Sequence, residues 1–209
     1  MNHGKIQKPF LKWVGGKTQI LNSILSKIPK EMNNYHELFL GGGSVLFAVL
    51  SLQKQQPIKI RNKIYASDIN HALINLYKHI QTDKEKLYEY IDFYIREYNR
   101  IEGTEIHRNP ATIKEAKSSK ESYYYWIRKK YNKMAFANTQ KQNTENTVTK
   151  DRGEKATKKL IALECSALFM FLNKTCFRGM YREGKYGFNL PYGHYKRTPT
   201  IKILLVYLR

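Results

Sequence analysis

Apolar residues recur at helical spacing along the middle of the chain. Two stretches each follow a capping box, in which a Ser or Thr and a Glu three residues later satisfy each other's backbone amides. These boxes are Thr82 with Glu85 and Ser118 with Glu121. The apolar positions that follow are Leu87, Ile91, Tyr94, Ile95 and Tyr98 in the first stretch, and Tyr124, Ile127, Tyr131 and Met134 in the second. This spacing predicts two helices, each with one buried face.

Two further segments depart from this pattern in opposite directions. Residues 160–172 are apolar on nearly all sides, which predicts a helix buried in the core. Residues 138–159 are mainly Thr, Asn, Gln, Lys and other polar residues, with hardly an apolar side chain. We therefore expect a flexible polar insertion near 138–159 that contributes nothing to the core.

The first third of the chain has strand signals. Residues 35–40 and 63–67 are short strand candidates, while residues 45–52 and 69–80 have helix-like patterns. Three glycines at 41–43 join the first strand to its helix, and Asp68 directly follows the second strand. The order strand, glycine turn, helix, strand and acid is typical of nucleotide-binding α/β proteins, so the predicted fold class is α/β.

Composition and charge add a polyanionic partner to this picture. The 209 residues are 42% hydrophobic and 26% charged, which is ordinary for a globular protein. Lys and Arg number 37 against 17 Asp and Glu, leaving a formal charge of +20. Nucleic acid is the commonest partner of so basic a chain, and a basic protein without a partner is the plainer alternative. Residues 173–209 hold eight basic side chains and one acidic one, so we expect the tightest DNA contact there.

Other classes of protein are disfavoured. Cys165 and Cys176 are too few for a disulfide scaffold or a four-cysteine zinc site, and we expect no metal. The first residues lead into no apolar signal segment, and the uncharged run at 38–52 is shorter than the roughly 18 residues that indicate a membrane span. We expect a soluble, intracellular monomer without membrane association.

The glycine turn and Asp68 form a candidate binding site. A turn without side chains lets backbone amides approach a ligand, and the carboxylate can accept from both hydroxyls of a ribose. The same residues also fit a tight turn followed by a helix N-cap, with no ligand. The turn is Gly-Gly-Gly-Ser, without Gly-x-Gly-x-x-Gly or a phosphate-binding Gly-Lys-[Ser/Thr]. It therefore favours a smaller adenosine-bearing cofactor over a dinucleotide or a triphosphate.

Four segments form an ordered set of motifs. They are Pro-Phe-Leu-Lys-Trp-Val-Gly-Gly-Lys at 9–17, Glu-Leu-Phe-Leu-Gly-Gly-Gly-Ser at 37–44, Ala-Ser-Asp-Ile-Asn at 66–70 and Gly-Phe-Asn-Leu-Pro-Tyr-Gly-His-Tyr at 187–195. In this order they resemble the Dam-like (D12 class) DNA adenine-N6 methyltransferases, although Leu38 stands where that family usually has proline. The resemblance implies a Rossmann-like methyltransferase sheet, incomplete here, with an inserted, mostly helical DNA-recognition domain and a β-hairpin.

The resemblance also implies S-adenosylmethionine as the cofactor. The positions that match its pocket are Trp13, Lys17, Phe39, Gly41, Gly43 and Asp68. Lys17 is suited to pair with the carboxylate of the cofactor, and Asp68 matches the acid that holds the ribose. Apart from the resemblance, Trp13 fits a core aromatic and Lys17 a solvated charge.

Residues 173–197 alternate aromatic and basic side chains and contain turn-forming glycines, so we expect a basic hairpin that binds double-stranded DNA. In the resemblance, Arg182 matches a position that reads a base edge, Phe177 one that packs into the opened duplex, and Pro191 one at the DNA surface. The full DNA-binding set is Lys12, Phe177, Arg178, Arg182, Pro191, Lys196 and Arg197. We assign the last two to phosphates. A solvated basic loop is the alternative.

Residues 189–192, Asn-Leu-Pro-Tyr, also match the catalytic tetrapeptide of other adenine methyltransferases. That motif needs a buried strand before it, and the polar, glycine-containing residues 182–187 do not provide one, so we assign the tetrapeptide to the hairpin. The catalytic Asp-Pro-Pro-Tyr of the resembled family is absent, because none of the six prolines is adjacent to another. We name no catalytic residue and expect a chain truncated before that motif and inactive alone.

The expected domains follow from these assignments. Residues 1–82 are the N-terminal part of the cofactor-binding domain, residues 83–197 the target-recognition domain, and residues 198–209 a strand-like tail, the rest of the catalytic domain being missing. The favoured function is site-specific methyl transfer from S-adenosylmethionine to adenine N6 in DNA. The alternative is a non-catalytic DNA-binding remnant or regulator. A nicotinamide oxidoreductase fits the glycine turn and Asp68 but explains neither the charge nor the hairpin.

Overall fold

The computed structural model describes residues 6–142, 152–197 and 199. The chain divides into two compact units, an N-terminal unit, Met1–Ile74, and a C-terminal unit, Asn75–Arg209. The division falls within the helix that follows Asp68, before the predicted domain boundary at residue 82. Of the predicted tail at 198–209, the structure describes residue 199 alone.

The N-terminal unit contains short parallel strands and helices. Its helices are a 3-10 turn (Lys17–Ile20), α1 (Leu21–Leu25), α2 (Ser44–Lys54) and the start of α3 (His71–Thr82). Its strands are β1 (Glu31–Met32), β2 (Tyr35–Glu37), β3 (Lys59–Ile60) and β4 (Ile64–Ala66). The predicted strands at 35–40 and 63–67 and the predicted helices at 45–52 and 69–80 are thus confirmed, with shorter strands than expected.

The strands form two separate parallel pairs. Strand β1 pairs with β3, and β2 pairs with β4 so that Tyr35 faces Ile64 and Glu37 faces Ala66. Between the two pairs, the side chain of Asn34 accepts a hydrogen bond from the backbone of Lys63 at 3.2 Å. A side-chain oxygen therefore takes the place of a backbone carbonyl where the ladder is interrupted.

The core of this unit lies between the strands and α2. Its buried residues are Leu25, Ala48, Val49, Leu52, Ile58 and Ile60. They come from one face of α2, from the end of α1 and from β3 with the residue before it, which explains the apolar run at 45–52. Because β2 and β4 pair in parallel, their carboxyl ends lie at the same edge.

The C-terminal unit is mostly helical. Its elements are the rest of α3, α4 (Lys84–Asn99), α5 (Ile113–Ala116), α6 (Lys120–Gln142), α7 (Arg152–Thr175), a 3-10 turn (Phe177–Gly179), β5 (Glu183–Gly184) and β6 (Gly187–Phe188). Helices α4, α6 and α7 pack against one another. All the apolar positions predicted for the first helix face, Leu87 to Tyr98, are buried. Those predicted for the second face are buried from Tyr124 to Tyr131, while Met134 is partly buried.

The predicted capping boxes are wrong in detail. Helix α4 has Asp83 at its N-cap without a side-chain cap bond, and the hydroxyl of Thr82 donates to the Asp83 carboxylate. At α6 the cap is formed by Ser119, whose hydroxyl accepts from the backbone of Ser122 at 3.1 Å. A neighbouring side chain of similar capping ability therefore replaces the predicted cap at α6, whereas α4 begins without a side-chain cap bond.

Helix α7 contains the predicted buried helix, but Leu160 is exposed, and the continuously buried run begins only at Ser166. The flexible insertion predicted near 138–159 is wrong at both ends, since α6 continues to Gln142 and α7 begins at Arg152. Residues 143–151 lie outside the described residues. The described side chains at 156–159 are exposed or only partly buried, as expected of a segment without a core.

The molecule is thus a mixed helix-and-strand protein with small sheets, which agrees with the predicted α/β class. In the ranges described above, every helix is too short or too polar to cross a membrane.

Candidate functional site

The glycine turn lies at the carboxyl edge of the parallel strands. Gly41 and Gly43 have φ angles of 50° and 74°, a left-handed conformation that glycine adopts without strain. Gly43 is the N-cap of α2. Because β2 and β4 are parallel, the turn after β2 and the residues after β4 emerge side by side.

Asp68 contacts this turn directly. One of its carboxylate oxygens accepts from the backbone N–H of Gly41 at 2.8 Å, and the other accepts from the N–H of Asn70 at 2.9 Å. The acid is partly buried. Two residues 27 positions apart are thereby fixed in one place, with the carboxylate beside the backbone amides of the turn.

Trp13 packs on the same turn. A Cβ atom added to Gly41 would lie 3.1 Å from Cδ1 of Trp13, and one added to Gly42 would lie 3.1 Å from its Cβ. These distances are shorter than ordinary carbon contacts. The absence of side chains at 41 and 42 therefore lets the indole lie against the backbone.

Lys17 is held at the start of α2. Its backbone N–H donates to Oγ of Ser44 at 3.1 Å, and its Nζ donates to the carbonyl of Gly15 at 2.7 Å. Phe39 is 89% exposed. A cleft of about 190 Å³ lies among these groups, and the predicted residues that line it are Trp13, Lys17, Phe39, Gly41 and Asp68. The structure therefore brings these predicted positions together around one cleft, and places Gly43 at the adjoining helix cap.

Sequence reasoning missed Glu37, which also lines the cleft. Burial raises the pKa of its carboxyl above the usual range, although a hydrogen bond from the Tyr35 hydroxyl at 2.9 Å opposes that effect. Burial likewise raises the pKa of Tyr35. The signal available for Glu37 was an acid within a predicted strand, shortly before the glycines at 41–43.

The predicted basic hairpin is shorter than residues 173–197. Strands β5 and β6 are antiparallel, with Gly184 facing Gly187, and a two-residue turn joins them. Residues 173–175 are the last residues of α7. The two ends of the remaining loop meet, because the N–H of Phe177 donates to the carbonyl of Pro191 at 2.9 Å and that of Gly193 donates to Thr175 at 2.8 Å. The predicted boundaries are therefore wrong, while a hairpin is present within them.

The predicted DNA-binding residues of this unit are all exposed. They are Phe177, Arg178, Arg182, Pro191, Lys196 and Arg197. The guanidinium of Arg178 lies over the Phe177 ring, 5.2 Å from its centroid. Nε of Arg182 donates to Oδ1 of Asn189 at 2.8 Å. Lys12 is exposed in the N-terminal unit.

The tetrapeptide at 189–192 follows β6, in the region assigned to it from the sequence. Asn189 is exposed, whereas the side chains of Leu190 and Tyr192 are buried. Among the described residues no group of three or more His, Cys, Asp or Glu side chains is arranged to hold a metal ion.

The parallel strands, the glycine turn and the acid beside it define an α/β protein with a cleft at the carboxyl end of its parallel strands, where open α/β sheets bind ligands. The family model of the D12 class N6 adenine-specific DNA methyltransferases matches residues 13–205. The chain belongs to this family.

Curated relatives agree with this membership. The chain is 35% identical to the type II methyltransferase M.MjaIII of Methanocaldococcus jannaschii, over 90% of this chain and 53% of that protein. It is 27% identical to the DNA adenine methylase of Haemophilus influenzae, over 90% of this chain and 48% of that protein. It is also 27% identical to the DNA N-6-adenine-methyltransferase of Escherichia phage P1, over 93% of this chain and 19% of that protein. The chain spans about half the length of the first two relatives.

Proposed function

We propose that the chain binds S-adenosylmethionine and double-stranded DNA as part of a site-specific DNA adenine-N6 methyltransferase. The N-terminal unit would belong to a Rossmann-like methyltransferase domain and the C-terminal unit to a target-recognition domain. The contact between the Asp68 carboxylate and the Gly41 amide carries the proposal, because it builds a ribose acceptor beside a turn without side chains. Family membership supports the reaction class.

The residues of the cleft fit this cofactor chemically. Asp68 can accept from ribose hydroxyls, Lys17 can pair with a carboxylate, and the exposed ring of Phe39 can cover an apolar face. The cleft of about 190 Å³ is below the roughly 300 Å³ of a typical ligand pocket, so it accommodates part of the ligand. When bound, S-adenosylmethionine supplies a methyl group that is activated for transfer to a nucleophile.

The hairpin region supplies the proposed DNA contacts. Arg182 reads a base edge, Phe177 packs into the opened duplex, and Pro191 lies at the DNA surface. Lys196 and Arg197 contact phosphates, as do Lys12 and Arg178 in the same proposal. The exposure of all these side chains supports the assignment.

Transfer to adenine N6 needs a polar group that accepts from the exocyclic amine of a base held outside the helix. Asp-Pro-Pro-Tyr, which supplies that group in the resembled family, does not occur in these 209 residues. We therefore expect these residues to bind cofactor and DNA without transferring the methyl group. This sequence observation also favours the second candidate, a DNA-binding protein or regulator without chemistry.

Calorimetry with S-adenosylmethionine, duplex binding, and transfer of labelled methyl from the cofactor to duplex DNA test the proposal together. Binding of both ligands without transfer is the expected result for the 209-residue chain. DNA binding without any cofactor binding would favour the second candidate. Labelled DNA would show that the polar group that accepts a hydrogen bond from the adenine amine lies among residues that we have not assigned.

A further inference from the structure

Helix α6 presents three polar side chains, one per turn, to the segment that follows the hairpin turn. Tyr124, Arg128 and Asn132 are spaced by four residues and so lie on one face of the helix. The Tyr124 hydroxyl and Nη1 of Arg128 both donate to the carbonyl of Leu190, at 2.8 and 2.9 Å. Both lone pairs of that carbonyl are thus used by one helix.

Asn132 binds the backbone of β6 in a different way. Its Oδ1 accepts from the N–H of Phe188 at 2.9 Å, and its Nδ2 donates to the carbonyl of the same residue at 3.0 Å. In an antiparallel pair, alternate residues direct both backbone groups away from the partner strand. The amide of Asn132 therefore occupies the outer edge of β6, as a neighbouring strand would.

The close approach of Asn132 requires Gly187. A Cβ atom at that position would lie 2.7 Å from Oδ1 of Asn132, and Gly187 has a φ of 92°. The Phe188 ring is buried against Tyr131 and Tyr181, with ring centroids 6.2 and 5.7 Å apart. Both backbone and side chain of β6 are therefore fixed on α6.

Arg182 is joined to this fixed segment through one residue. Its carbonyl accepts from the N–H of Asn189 at 3.1 Å, and its Nε donates to Oδ1 of Asn189 at 2.8 Å. Asn189 lies between Phe188 and Leu190, the two residues held by α6. With Nε engaged, the plane of the guanidinium is set, and the two Nη nitrogens supply the paired donors of a bidentate base contact.

We infer that Asn132 and Asn189 are positioning residues for sequence discrimination by Arg182. Asn132 fixes β6 on α6, Asn189 transmits that position to the guanidinium, and the orientation of Arg182 decides which base edge it accepts. The inference rests on the proposed DNA-binding function. Phosphate contacts, which come from other side chains, do not depend on this linkage.

The test measures the relative affinity of the 209-residue chain for a pool of short duplexes with randomised central base pairs, by sequencing bound and free fractions. The variants are Arg182→Ala, Asn189→Ala and Asn132→Ala. Asn109→Ala is the matched control, because Asn109 is an exposed residue of the same unit whose side chain accepts from Lys129. Circular dichroism and urea midpoints verify folding, and Asn189 is exposed, so its variant is expected to fold normally.

We expect Arg182→Ala to lower discrimination at one base pair by about tenfold, the size of a lost bidentate contact. Asn189→Ala and Asn132→Ala should lower discrimination at that same base pair at least threefold, with pool-averaged affinity changed less than twofold. An equal loss of affinity for all sequences, or unchanged discrimination in both Asn variants, overturns the inference while the proposed function stands. Failure of the wild-type chain to bind any duplex overturns both.

Discussion

At the scale of single residues, Asp68 connects the two strands that define the cleft. Each of its carboxylate oxygens accepts from a backbone amide, one in the glycine turn and one before α3. A carboxylate held in this way is already oriented before a ligand arrives, which lowers the entropy cost of binding.

Asp68→Ala should therefore weaken S-adenosylmethionine binding about tenfold or more, since a hydrogen bond to a charged group contributes about 1.5–3 kcal/mol. Titration calorimetry measures the change. Duplex affinity should stay the same, because the predicted DNA contacts lie elsewhere. Unchanged cofactor affinity in a folded variant contradicts the assignment of Asp68.

Glu37 and Glu31 should respond to pH in opposite directions. Burial raises the pKa of Glu37 above 4.5, so the folded state favours its protonated form and loses stability as pH rises through the raised pKa. Glu37→Gln should thus be more stable than wild type at pH 7, and the difference should shrink near pH 4. Urea unfolding at both pH values measures it.

Glu31, on the strand that precedes β2 in the chain, is the matched control. A hydrogen bond from Arg61 lowers the pKa of Glu31 below 4.5, so its contribution to stability is present at neutral pH and is lost as pH falls through the lowered pKa. Glu31→Gln should accordingly be less stable than wild type at pH 7. The same sign for both variants would contradict the account of Glu37.

At the scale of elements, the proposed DNA contacts of the hairpin region are one base contact and several phosphate contacts. Arg182→Ala should cost about 1–3 kcal/mol on the preferred duplex and little on others. Lys196→Ala or Arg197→Ala should weaken binding similarly on all sequences and reduce the salt slope by roughly one. Binding at two salt concentrations separates the roles, and exchanged outcomes would reverse the assignment.

Sequence patterns predicted the elements that have apolar faces and missed those that do not. The buried faces of α4 and α6 were evident because tyrosines and aliphatic residues repeat at helical spacing. The end of α6 and the start of α7 were missed because both contain few apolar residues. Their Lys, Gln and Glu residues have high helix propensity, so the helices extend beyond their packed parts. Strands β1 and β3 have two residues each, too few to show a period.

The predicted residues of the candidate cleft belong to sequence motifs, whereas Asn132 lies outside them and was missed. Trp13, Lys17 and Asp68 stand in ordered motifs, so the sequence indicated them. Asn132 stands on a long helix among charged residues, and its function depends on a backbone 56 residues away. No local pattern encodes a contact of that kind.

At the scale of the whole molecule, the charge of +20 should make the proposed binding to DNA strongly dependent on salt. Four proposed phosphate contacts, at Lys12, Arg178, Lys196 and Arg197, imply a slope of log affinity against log salt of about −3.6. Duplex affinity should therefore fall by about 150-fold between 50 and 200 mM salt, with or without cofactor. Fluorescence anisotropy measures this, and a salt-independent affinity would argue against phosphate binding.

The attachment of β6 to α6 has a consequence for how new target sequences can arise. Asn132, Tyr124 and Arg128 hold backbone groups of residues 188 and 190, so the attachment does not depend on the side chains that face outward. Arg182 and the turn residues Lys185 and Tyr186 are exposed and can be exchanged without removing those bonds. The exposed residues of the hairpin can therefore vary while its backbone stays bound to α6. A combinatorial library at these three positions should change the proposed target preference without loss of folding.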